Sequence, residues 1–183
     1  RELGTEQLMS RLSMVFQDVY LFDDSLIANI RVGRPDASDE EVFRAADLSG
    51  VTSIANRLGW HTPVGEGGRL LSGGERQRVS VARALLKQAP IVLFDEATSA
   101  LDAENEANIL AAMDELREQS TFIVIAHKLD TIKSADQIVV LDEHGQVSQL
   151  GTHSELSDVP GIYRHFWQQR KAARGWKINS GRD

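Results

Sequence analysis

The sequence contains no cysteine, only four prolines among 183 residues, and just 6 % aromatic side chains. Without cysteine there is neither a disulfide framework nor a thiolate zinc site, which agrees with a reducing compartment. No apolar run approaches the ~20 residues that a membrane-spanning helix needs. The opening residues, Arg1-Glu2-Leu3-Gly4, carry no signal-peptide pattern and no starting methionine. We therefore read the chain as beginning inside a longer protein. A G-x-x-x-x-G-K-[S/T] run is absent throughout, and with it the lysine and hydroxyl that such a loop sets against phosphate. Internal repeats and low-complexity segments are also missing. Positive charge is scarce: 20 Lys and Arg against 27 Asp and Glu give a net charge of −7, which argues against general nucleic-acid binding. The end of the chain is the exception, with six Lys or Arg and a single acid from Tyr163 onward. A basic tail of this kind can touch anionic lipid; a solvated terminus is the plainer reading and the one we adopt.

What is present suits one soluble domain with a real core: 42 % hydrophobic and 26 % charged residues. The most informative stretch runs from Leu71 to Asp102. Ile91 to Phe94 is a continuous apolar run between Pro90 and Asp95, as expected of a central strand of a parallel sheet, buried on both faces. Ligands of open α/β sheets sit at the carboxyl ends of such strands, where Asp95 and Glu96 stand. Adjacent carboxylates repel unless they share a cation or a proton. Mg²⁺ on a nucleotide phosphate is a natural partner, since it takes oxygen ligands and keeps several waters. The first acid would hold the metal and the second would deprotonate an attacking water. Taken alone, the pair reads equally well as a polar strand end. Upstream, Ser72 is a good N-cap for a helix running to Lys87. Gly73 and Gly74 leave backbone N–H groups uncovered at the positive end of its dipole, a setting that binds phosphate. An ordinary capped helix is the plainer alternative, and Val79, Ala82, Leu85 and Leu86 give it a packing face.

Together these residues resemble a known family. Leu71-Ser72-Gly73-Gly74-Glu75 is similar to the signature motif of ABC ATPases, Ile91 to Glu96 to their Walker B strand, and Ser99-Ala100-Leu101-Asp102 to their D-loop. Three motifs in this order and spacing are highly specific. The resemblance implies an α/β fold: a mostly parallel P-loop NTPase-type sheet flanked by helices, with an inserted helical subdomain. It covers essentially the whole chain but only the later part of such a domain. The phosphate loop would lie upstream of Arg1.

The remaining segments extend the resemblance. Residues 5 to 12 suggest a short helix with Thr5 as cap, and Ser13 to Phe16 a strand. Gln17 follows, by itself a simple loop residue, but placed like the Q-loop glutamine of the family. That implies contact with Mg²⁺ or the attacking water through an amide that adds no charge. The loop after it, Asp18 to Phe22, would touch the membrane partner. Asp24 to Ile30 suggests a capped helical turn. Ser38 and Glu41 form a capping box ahead of apolar positions Val42, Ala45 and Ala46. Past a break near Gly50 come Val51, Ile54, Ala55 and Leu58, all read as core. Thr62-Pro63-Val64-Gly65-Glu66 resembles the X-loop of ABC exporters, which implies contact with coupling helices of the transmembrane domains. A helix from Ala103 to about Glu118 leads to a second buried strand, Thr121 to Ile125. His127 follows, a weak signal alone, but similar in place to the H-loop histidine, which implies a hydrogen bond to the γ-phosphate. Lys128 stands where arginine is usual. Residues 137–141 and 146–150 suggest a hairpin. The last helix, Ile162 to Ala173, would pack Tyr163, Phe166 and Trp167.

The resulting expectation is a single partial ABC ATPase domain over 1–183. Its helical subdomain would span 18–89, its catalytic core 1–17 and 90–173, with a flexible basic tail over 174–183. The resemblance implies Glu96 as general base, Asp95 and Gln17 as metal ligands, and Gln17 and His127 as γ-phosphate sensors. Ser72, Gly73, Gly74 and Glu75 would serve the nucleotide of a head-to-tail partner, a second ABC ATPase domain in a homo- or heterodimer. Asp102 would make the cross-dimer contact. ATP and Mg²⁺ are the implied ligands, and the cytoplasmic face of a membrane transporter the implied location. Without the phosphate loop, the 183-residue chain alone is expected to be catalytically inactive. Two alternatives are a soluble ABC-type ATPase and a truncated, non-catalytic dimerisation module.

Overall fold

Parallel strands cannot be joined by a tight turn, so each pairing in this sheet spans an intervening helical segment. A computed structural model describes residues 4–95, 103–125 and 132–179. The chain divides into two compact units, Arg1–Ile125 and Ala126–Asp183.

In the first unit, α1 (Thr5–Ser10) leads into β1 (Leu12–Val15). Four helices follow: α2 (Leu26–Arg31), α3 (Asp39–Leu48), α4 (Thr52–Leu58) and α5 (Gly73–Lys87). A single 3₁₀ turn, Glu66–Gly68, is the one regular feature of the glycine-rich stretch before α5. The chain then forms β2 (Ile91–Asp95), α6 (Ala103–Gln119) and β3 (Thr121–Ile125). The sheet order is β1-β2-β3, all parallel. This is the mixed α/β architecture, with a parallel sheet and flanking helices, that the sequence implies.

The helix starts follow from capping chemistry. Ser25 accepts from the Ala28 N–H at the start of α2. Ser38 and Glu41 close a reciprocal capping box on α3. Gly50 adopts φ 73°, a left-handed geometry that glycine takes without steric cost, and so separates α3 from α4. α1 differs from expectation: Gly4, not Thr5, is its N-cap, and no side chain caps it. The main core of this unit gathers Leu21, Leu26, Ile30, Val42, Ile54, Val64, Val79, Val81, Val92 and Phe94.

Two expectations about the sheet need correction. β2 is central, but its burial alternates: Val92 and Phe94 are buried, whereas Ile91 and Leu93 are only half-buried. β3 is not a buried strand; Ile123 is 49 % and Ile125 60 % exposed. Among the described residues β3 is an edge strand of the sheet, and one face of the sheet is more buried than the other. Val15, Val92 and Phe94 pack with Phe122 and Val124 in the core. By the strand register, Met14, Leu93 and Ile123 line up on the other face.

In the second unit, β4 (Ile138–Leu141) and β5 (Val147–Gly151) form the expected antiparallel hairpin. Asp142 shapes its turn by accepting from the His144 and Gln146 N–H groups. Thr152 and Glu155 form a capping box on α7 (His153–Asp158). The last helix, α8 (Ile162–Asn179), runs six residues past the expected end at Ala173. Gln168 to Arg174 are mostly strong helix formers and carry the helix on to Asn179. Tyr163 is buried with Ile138 and Leu156, and Trp167 packs its ring against His153. Among the described residues, no helix is long and apolar enough to cross a membrane.

Candidate functional site

The site begins with the ends of three strands. Val15 pairs opposite Phe94, and Asp95 opposite Ile125. Because all three strands are parallel, their carboxyl ends share one edge of the sheet. Gln17 leaves β1 at that edge as an exposed residue. Asp95 is the last residue of β2 and is partly exposed. Glu96 follows Asp95 in sequence, and His127 comes two residues after the end of β3. Glu96, Asp102 and His127 lie outside the described residues. The sheet register therefore brings Gln17 and Asp95 to one edge.

The second element is the amino end of α5. Ser72 Oγ accepts from the Glu75 N–H at 3.2 Å, and Glu75 Oε2 accepts from the Ser72 N–H at 2.8 Å. Glu75 also pairs with Arg57 of α4, and Arg76 donates to the Leu71 carbonyl at 2.8 Å. Burial of Glu75 disfavours its charged form. The Ser72 N–H and the Arg57 guanidinium outweigh that and hold its carboxyl below the usual carboxylate range. The sequence marked Ser72 as a cap; the reciprocal bond and the Arg57 partner emerge from the structure. Gly73 and Gly74 begin a 15-residue helix, and first-turn N–H groups have no acceptor within their own helix. A Cβ built on Gly73 would meet nothing nearer than the Arg76 guanidinium at 4.0 Å. The space over this helix end is open, which fits a phosphate approaching it.

The third element is an aromatic pair in the loop after Gln17. Tyr20 and Phe22 flank the fully buried Leu21, yet are themselves 56 % and 52 % exposed. Their rings meet edge to face with centroids 5.9 Å apart. The alternation of two aromatics around one leucine is the signal that marks them. The X-loop-like segment is tied to the chain just after them: Ser25 bridges to Pro63, and the Val64 N–H donates to the Asp24 carbonyl at 3.0 Å. The loops expected to meet a membrane partner are thus joined to each other in this unit.

No group of three or more His, Asp or Glu among the described residues could hold a metal ion. Asp95 and the Gln17 amide supply oxygen donors, a sparse set that suits Mg²⁺ arriving with most of its ligands as phosphate and water.

Comparison with known proteins gives a consistent result. The ABC transporter family model matches residues 2–99. The ATP-dependent lipid A-core flippase of Legionella pneumophila (strain Paris) is 46 % identical over 176 residues, which are 95 % of this chain and 30 % of that protein. The flippase of the same description from Neisseria meningitidis serogroup A is 48 % identical, covering 88 % of this chain and 26 % of its own length. The Beta-(1→2)glucan export ATP-binding/permease protein NdvA of Agrobacterium vitis is 47 % identical, with 86 % and 27 % covered. Among solved structures, a bacterial Atm1-family ABC exporter with ATP bound superposes with a TM-score of 0.85 at 43 % identity. That match covers 92 % of this chain and 30 % of the exporter chain. The chain spans about 30 % of the length of the first of these curated relatives.

Proposed function

The chain belongs to the ABC transporter family, and from that premise we propose that it is the later part of an exporter's ATP-binding and hydrolysing domain. In this reading it powers transport by MgATP-driven pairing with a second ABC ATPase domain at the cytoplasmic face of a membrane. The observation that carries the proposal is the shared edge of β1, β2 and β3. It brings Gln17 and Asp95 to one side of the sheet, and in sequence Glu96 follows Asp95 and His127 follows β3 by two residues. Each residue has a chemically suitable task. The Glu96 carboxylate takes the proton from a water attacking the γ-phosphorus. Gln17 orients that water through its amide, and His127 donates to the γ-phosphate. Asp95 and Gln17 would hold Mg²⁺, whose charge offsets that of the phosphates. Ser72, Gly73 and Gly74 offer the open helix end to the nucleotide of the head-to-tail partner, with Glu75 closing the cap that shapes it. Asp102 would touch the partner across the interface.

The exposed Tyr20–Phe22 pair and the tied X-loop-like segment support contact with transmembrane domains. The cargo is not written in this segment: relatives named for lipid A-core flipping and for glucan export match it at nearly equal identity. An ATP-hydrolysis assay of the full-length protein tests the reading. Glu96→Gln is expected to lower kcat by about 10²-fold or more, with ATP binding retained. Turnover unchanged by Glu96→Gln would overturn it. The 183-residue chain alone is expected to show no turnover, and Ser72→Arg is expected to suppress turnover at the partner's site.

A further inference from the structure

A signal that starts at the amino end of α5 needs a rigid route to any surface that meets a membrane domain. The structure contains one, built on a half-buried arginine. Arg83 lies ten residues along α5 from Gly73, about 15 Å at 1.5 Å per residue. Its Nε donates to the Asn29 carbonyl at 2.6 Å, its Nη2 to Asn29 Oδ1 at 2.7 Å, and its Nη1 to the Tyr20 carbonyl at 3.0 Å. The guanidinium also stands over the Phe22 ring, 5.9 Å from its centroid.

Asn29 completes the connection. Its side chain is wholly buried. Oδ1 accepts from the Phe22 N–H at 2.9 Å, and Nδ2 donates to the carbonyls of Phe22, Asp24 and Ser25. One amide thus fixes the Phe22 backbone from both its donor and acceptor sides, while Arg83 holds the Tyr20 carbonyl. Close backbone packing reinforces the bond network: a Cβ on Gly33, just past α2, would lie 2.3 Å from the Arg83 carbonyl oxygen. α2 and α5 are in contact there with no side chain between them.

Among the described residues, no carboxylate pairs with Arg83. Burial lowers its pKa to about 10, so it stays charged at neutral pH. Carbonyl dipoles and a ring face replace its water, which an arginine fork can satisfy and a lysine point charge cannot. A leucine or methionine would pack a helix at far lower desolvation cost. Retaining a charge here makes sense when several distant backbone groups must be held in one geometry.

We propose that Arg83 and Asn29 are positioning residues that lock the signature-bearing helix α5 to the Tyr20–Phe22 surface. A displacement at the phosphate-facing end of α5 is then delivered to the face that meets the transmembrane domains. This rests on the ATPase reading above, and its test separates the two. The full-length protein in lipid vesicles is trapped with MgATP and orthovanadate, and hydrogen–deuterium exchange is followed over residues 18–30 and 73–76. The unaltered protein should slow exchange in both segments on trapping. Arg83→Lys should keep trapping and the KM for ATP within about two-fold, while exchange over 18–30 no longer responds. Loss of a charge-assisted hydrogen bond corresponds to about ten-fold in local opening. Asn29→Asp keeps an acceptor for Arg83 but loses the amide donors, and should break the response in the same way.

A response over 18–30 preserved in both variants overturns the proposal. So does a general acceleration of exchange through the core at Val42 to Ala55 in both variants, because the pair would then be ordinary packing. Failure of the unaltered protein to trap nucleotide sinks the ATPase reading itself, and the proposal with it. Trapping without any response over 18–30 sinks the proposal alone.

Discussion

The helical segment between β1 and β2 and the three-stranded sheet solve burial differently. The helices bury most of their apolar residues: Leu26 and Ile30 of α2, Val42 and Ala46 of α3, Ile54 of α4, and Val79, Val81 and Ala82 of α5 lie in one core shared with Val15, Val92 and Phe94 of the sheet. The sheet buries Val15, Val92 and Phe94 on one side, yet leaves Ile123 and Ile125 exposed. An amphipathic helix can close a core with other helices alone. A parallel sheet has two faces to cover and needs layers on both. The difference teaches that the helices and one sheet face share a common core, while exposed positions on β3 such as Ile123 and Ile125 contribute little to it.

The largest test of that contrast is truncation in each region. Leu26→Ala or Ile30→Ala should destabilise the first unit by about 2–5 kcal/mol, whereas Ile125→Ala should cost under about 0.5 kcal/mol. Denaturant unfolding followed by circular dichroism gives both values, and equal losses would abolish the distinction. Smaller effects are expected at the caps. Ser38→Ala and Ser72→Ala should each cost about 1 kcal/mol, read from the same curves, with Thr152→Ala giving a comparable loss in the second unit.

Glu75 gives a finer test through pH. Its folded-state pKa is lowered, so its stabilisation is fully present above the ordinary carboxylate pKa. That stabilisation is lost as pH falls through the depressed folded value. Glu75→Gln should therefore be less stable than the unaltered chain at neutral pH, and the gap should narrow on acidification below about pH 4. A gap that widens in acid would contradict the assignment. The smallest effect on stability should come from Tyr20→Ala, within about 0.5 kcal/mol. Its cost should appear instead as weakened cross-linking between this surface and the transmembrane domains of the full-length protein.

Much of the local structure was legible because its determinants are local. Ser38-x-x-Glu41 specifies a cap through atoms three residues apart, and the structure forms both bonds. Ile91 to Phe94 reads as a strand from its apolar run alone, and the structure extends it to Asp95. The Ser72-Gly73-Gly74 helix start was visible in the same way. What escaped was longer in range. Arg83 reads in sequence as one more polar position on α5, because its acceptors lie 54 and 63 residues away at Asn29 and Tyr20. The burial of β2 and β3 was overestimated because an apolar run shows that a strand can be covered on both faces, not that it is.

Capping residues, apolar runs and glycine placement determined by themselves where helices and strands begin, what α5 presents at its amino end, and which acid follows which strand. Those are matters of neighbouring backbone and side-chain chemistry. Only the tertiary structure decided that β1 and β2 pair across more than seventy residues, that one sheet face is more buried than the other, and that Arg83 reaches Asn29. Such contacts depend on which distant segments meet, and a linear order of residues does not carry that geometry.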